Sequence, residues 1–154
     1  MSEPNPYAPP AESPDPSASP APAEGAPAFR LYKPGHATLA AFLGTPGAGL
    51  YLVSVNRRRL GQTQAATNTL IAGLVATAAL VVAGFFLPDG IGRSLPIAAT
   101  IGVGQYAKSD RLLLDAHQAR GGQWESGWKA AGIGLIGFVA AIAVIVAVTL
   151  ATEG

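Results

Sequence analysis

The sequence predicts an all-α integral membrane protein, a disordered proline-rich tail followed by a small helical bundle of three to four membrane segments, one of them broken or re-entrant. Three observations predict it. Of 154 residues, 49% are hydrophobic and only 12% charged, about half the charged share of an ordinary soluble domain. Two runs, 69–87 and 130–152, carry no charge over lengths that match the hydrocarbon core of a bilayer. Ten of the thirteen prolines fall in the first 34 residues, so the chain is two materials joined at one boundary. A formal net charge of +1 argues against nucleic-acid binding by bulk electrostatics. The absence of Cys excludes disulfides, thiolate nucleophiles and thiolate metal sites.

The tail, 1–34, is a Pro, Ala, Ser and Glu mixture with few side chains able to bury apolar area, and it reads as disordered with polyproline II character. Glu3, Glu12, Asp15 and Glu24 precede any Lys or Arg, the reverse of a secretory signal, so the tail is expected to be retained. Pro6-Tyr7-Ala8-Pro9 fits the minimal PxxP docking pattern, but composition alone produces such a match here, and the tail reads as a solvated spacer.

The helical membrane domain, 35–154, opens with the apolar stretch 37–56, whose centre reads Gly44-Thr45-Pro46-Gly47-Ala48-Gly49. Gly is favoured just past a helix C-terminus, Thr as an N-cap and Pro at the first helical position, so one helix stops here and another begins. Irregular backbone at membrane depth must be buried in protein or line water, so the segment packs against its neighbours or only dips into the bilayer. The runs 69–87 and 130–152 reach roughly 28 and 34 Å as helices, and both read as spanning. The stretch 91–107 is interrupted by Pro96 and is read as a third, shorter span.

Arg57, Arg58 and Arg59 follow the broken segment, and Lys108, Arg111, Arg120 and Lys129 precede the last helix. The positive-inside rule makes these topology-determining and places them in the cytoplasm of a multi-pass membrane protein. A full crossing at 37–56 puts the tail outside. A re-entrant pair keeps it inside and adds Arg30 and Lys33 to the inner count, which is the reading preferred. Two small-residue stripes, Ala72, Ala76, Ala79, Ala83 and Ala130, Gly134, Gly137, Ala141, share helical spacing and are expected to pack on each other or on a second copy.

Candidate chemistry is sparse. Gly132, Gly134 and Gly137 spell GxGxxG, but inside an apolar helix rather than a strand-turn-helix unit, so the packing reading wins over a dinucleotide. Residues 100–104, TIGVG, resemble the selectivity filter of potassium channels, yet Pro96 interrupts the candidate pore helix. Neither long span contains an ionisable residue, the usual mark of intramembrane catalysis or proton relay. His36 and His117 lack metal-site spacing, and His117 is read on an interfacial helix that ends at Gly121-Gly122. The expectation is therefore a structural or interaction subunit or membrane scaffold, not an enzyme, with no cofactor or metal. Its expected partners are membrane lipid and either further copies of itself or another membrane protein. The alternative is a small oligomeric channel or transporter using the Gly44 to Gly49 break or residues 100–104.

Several short motifs occur together: Asn5-Pro6-Tyr7 in a Pro-rich N-terminus, Tyr32-Lys33-Pro34-Gly35, Phe42-Leu43 before the Gly-x-Pro-x-Ala-Gly break, Asn56-Arg57, Leu60-Gly61, and His117 with Gly121-Gly122 before a Trp-bearing final span. In this combination the chain resembles a family of small uncharacterised bacterial inner-membrane proteins over most of residues 32–137. The resemblance implies an inner-membrane location and no particular activity.

Overall fold

Residues 25–87 and 94–153 are described by the computed structural model, the last two by their backbone only. Within them the chain forms six helices and no strand: α1 (Pro34–Leu43), α2 (Pro46–Arg59), α3 (Thr63–Phe86), α4 (Leu95–Lys108), α5 (Arg111–Ala119) and α6 (Gly127–Glu153). The PxxP motif and most of the tail lie outside the described residues. Leu31 and Tyr32, within the tail expected at 1–34, are buried in the core.

The expected break divides α1 from α2. Thr45 is the N-cap of α2 in extended conformation, and its hydroxyl accepts from the Ala48 N–H at 3.3 Å, with Pro46 in the first turn. The two helices fold back on each other. Near the turn Gly49 lies against Ala41, and at the far end the Asn56 side chain grips the backbone of Tyr32. Both ends of the pair therefore meet at one end of the molecule, and the turn reaches only about 15 Å beyond Pro34, the rise of a ten-residue helix.

This short hairpin sits between the two long helices. The α2 helix packs on α3, α1 packs on α6, and α4 lies across both arms. Its apolar residues Ala37, Ala40, Ala41, Leu50, Leu52 and Val53 form the centre of the core with Val103, Ala107 and Ala130. The spans Thr63–Phe86 and Gly127–Ala151 are long and apolar enough to cross a membrane, yet only 11% and 6% of their most apolar windows are buried. The core helices of a soluble protein bury such surface, whereas these two leave it exposed. Val75, Phe86, Ile136 and Leu150 are among the side chains turned outward.

The segment expected at 91–107 becomes α4, with residues 91–93 outside the described ones. At 14 residues, roughly 21 Å, this helix is shorter than the expected span. Pro96 starts the helix instead of interrupting it, because its missing N–H costs nothing in a first turn. The helix around His117 is α5, and it is followed by Gly121 at φ +78°, a left-handed turn that suits glycine.

Candidate functional site

The hairpin tip is where small residues bring backbones together. An added Cβ on Gly44 would fall on the Gly134 carbonyl oxygen of α6, well inside van der Waals contact. One on Gly49 would lie 2.6 Å from the Ala37 carbonyl oxygen. The polar groups freed by the break are satisfied locally. Gly47 N–H donates to Thr77 Oγ1 at 2.9 Å, and that hydroxyl donates to the Gly73 carbonyl at 2.9 Å. Thr77 on α3 thus supplies the partner that a helix N-terminus otherwise seeks in water or a ligand.

Beyond the tip α3 and α6 diverge, and among the described residues none lies between them. Two openings of about 520 and 430 Å³ share Thr45, Thr77, Val81 and Ala141, and neither is lined by a charged residue. The slot runs from the tip at Gly137 to Val148, roughly 16 Å along α6.

The opposite end is polar and closely bonded. Arg57, 9% exposed, forms a bidentate pair with Asp110, Nε to Oδ2 at 2.7 Å and one terminal nitrogen to Oδ1 at 2.9 Å. Its other terminal nitrogen donates to Thr69 Oγ1 and Tyr106 Oη, each at 2.6 Å. One side chain of α2 thereby ties the first turns of α3 to the last turn of α4. The fork geometry of guanidinium allows this, and an ammonium lacks it. Asp110 precedes α5 without capping it, because its carboxylate is committed to Arg57.

The chain entering the hairpin is clasped from both sides. Tyr32 N–H donates to Asn56 Oδ1 at 2.8 Å, and Asn56 Nδ2 donates to the Tyr32 carbonyl at 2.7 Å. Leu31 pairs with Trp124 in an isolated parallel bridge, through Leu31 N–H to the Gln123 carbonyl at 3.1 Å and Glu125 N–H to the Leu31 carbonyl at 2.8 Å. Glu125 then accepts from Lys129 at 2.8 Å and Arg59 at 3.3 Å. His117 is fully buried, its ring stacked on Phe29 at 5.1 Å, and Gly122 packs so closely on it that a Cβ would enter the ring.

Two groups in this clasp make it acid-sensitive. The hydrogen bond from Lys129 holds the Glu125 carboxyl below its usual range. Burial, with Lys33 nearby, holds His36 below the ordinary imidazole value. Each group binds more protons unfolded than folded, so each contribution to stability is lost as pH falls. Unfolding followed by Trp fluorescence is expected to show a first weakening below about pH 6.5, from His36, and a second below about pH 4.3, from Glu125. A stability that does not change between about pH 7 and 5 contradicts the first assignment, and one that does not change between about pH 5 and 3 contradicts the second.

The sequence-predicted residues divide. Gly44, Thr45, Pro46, Gly47 and Gly49 lie at the turn between α1 and α2. The two stripes do not pack on each other: Gly134 lies on Ala40 and Leu43 of α1, and Gly137 on Ala48 of α2, with Ala130 buried and Ala141 lining the slot. Ala72 and Ala79 are exposed, because α3 turns Ala66, Thr69 and Gly73 toward the hairpin instead. Residues 100–104 are helical, so their carbonyls belong to a helix ladder and are not aligned as an ion filter. Of the arginine run, Arg57 is buried, Arg59 is engaged with Glu125, and Arg58 is exposed with no carboxylate partner among the described residues. Sequence reasoning missed Asp110, Tyr106, Thr69 and Asn56 as partners; the one available signal was an acid in the turn after 91–107, opposite an arginine triplet. No three of His, Asp and Glu come together among the described residues. Comparison with family models, with curated proteins and with solved structures finds no match.

Proposed function

We propose that the chain is a multi-pass protein of the bacterial inner membrane that serves as a structural or interaction subunit, built as a hairpin-wedged helical scaffold. The observation that carries the reading is the division of its surface. The uncharged side chains of α3 and α6 face outward along their length, while nine Lys and Arg among the described residues gather at one end. Lipid accepts the first surface, and the inner headgroup region accepts the second.

Topology follows from the direction of the helices. The N-terminal turns of α3 are bonded to Arg57, and those of α6 are bonded to Leu31 and Arg59 through Glu125, so both long helices leave the charged end in the same direction. If both cross, the chain must return between them, and α4 belongs to that third crossing. The hairpin is then re-entrant. Its tip lies near mid-depth in a bilayer core of about 30 Å, and the tail is cytoplasmic.

The test is a pair of fusions to the full chain. A reporter enzyme active only outside the cytoplasm is expected to be silent at the N-terminus and active at the C-terminus, with the chain resisting alkaline extraction from membranes. Equal activity at both ends overturns the three-crossing topology, and a chain monodisperse in buffer without surfactant overturns the membrane reading. The competing reading is a small oligomeric channel or transporter that uses the Gly44 to Gly49 break. It draws on the discontinuous helices near mid-depth, but the Gly47 N–H that would meet a solute is already bonded to Thr77. Solute flux in proteoliposomes, changed by substituting Thr77, would favour it.

A further inference from the structure

We infer that the charged end is a docking surface for the phosphate headgroups of anionic phospholipid, formed by Arg30, Lys33, Arg58, Lys108 and Arg120. The inference rests on the membrane-embedded reading. Three carboxylates lie at that end among the described residues, and each is engaged: Asp110 by Arg57, Asp115 by Arg111, Glu125 by Arg59 and Lys129. These pairs take up four of the nine cations. The other five are exposed, with no carboxylate partner among the described residues. Lys33 lies over the Trp124 ring at 5.7 Å, and Arg120 Nε donates to the Ala116 carbonyl at 3.2 Å, contacts that position these charges without neutralising them.

Depth and distribution select the partner. Trp128 and Leu112, 87% and 84% exposed at the same end, are side chains that settle at the boundary between headgroups and acyl chains, so the free cations stand at headgroup level. They come from the segment before α1 and from the ends of α2, α4 and α5. That spread around the bundle, rather than within one cleft, suits many headgroups in a plane better than one compact anion. The arginine triplet is not the main source of this charge, since Arg57 and Arg59 are spent on Asp110 and Glu125.

The experiment uses the full chain in bilayers with acyl-brominated lipid at equal mole fraction, either phosphatidylglycerol or phosphatidylcholine, and reads quenching of Trp fluorescence. Brominated phosphatidylglycerol is expected to quench more strongly at low salt. The preference should fall by up to about five-fold for each cation removed in R58Q/K108Q/R120Q, the factor equivalent to about 1 kcal/mol per basic residue near an anionic surface. It should persist in the charge-keeping R58K/K108R/R120K and fade near 1 M salt, where the screening length is about 3 Å. Equal quenching by both lipids, or an undiminished preference in the glutamine triple variant, overturns the inference and leaves the membrane reading standing. Absence of quenching by either lipid overturns both.

Discussion

Replacing Arg57 with methionine is expected to cost about 3–5 kcal/mol of stability. The reason is asymmetric. The methionine itself packs acceptably, but Asp110, whose side chain is only 12% exposed, loses its bidentate partner and remains an uncompensated buried charge. The hydroxyls of Thr69 and Tyr106 lose their donor at the same time. Arg57→Lys should restore little, because one ammonium cannot reach two carboxylate oxygens and two hydroxyls in fixed directions. Adding Asp110→Leu to the methionine variant should recover much of the loss, since removing both members of a buried pair is far cheaper than removing one. Thermal unfolding of the full chain in mild detergent reads all three, and a double variant as unstable as the single one contradicts the account.

Gly44→Ala is expected to be nearly as damaging, because the new methyl group meets the backbone carbonyl of Gly134 and no rotamer change can relieve it. Overpacking of this kind costs about 1–3 kcal/mol and more when the backbone itself must move. The same contact seen from α6 predicts that Gly134→Leu separates α6 from α1, since even a Cβ there lies 2.9 Å from the Ala40 carbonyl oxygen. Gly132, two residues earlier on the same helix, is the internal control. A Cβ at Gly132 meets nothing within 4 Å, so Gly132→Ala should be neutral or stabilising by up to about 1 kcal/mol through helix propensity. Equal effects at positions 132 and 134 would exclude a specific seat for the hairpin tip against α6.

Much of the helical plan was legible in the sequence, because it rests on one-dimensional signals. Gly44, Thr45 and Pro46 encode a stop, a cap and a start by local chemistry alone, and the two long uncharged runs encode helices whose outward surfaces seek an apolar surrounding. The candidate site was less legible. GxGxxG spacing pointed to packing at Gly134 and Gly137 without naming their partner, and spacing alone did not say whether the alanine stripe of α3 meets α6 or a second copy. Small residues permit close approach without specifying what approaches.

Composition and periodicity by themselves determined an all-helical chain, its break, its long apolar helices and the position of its basic clusters, since each depends on a residue and its near neighbours. Only the tertiary structure decided that the broken pair folds back between α3 and α6, that Arg57 is spent on Asp110 fifty-three positions away, and which cations remain free. Those outcomes depend on which surfaces meet. A charge or a glycine declares what it can tolerate, but its partner is chosen by the path of the whole backbone.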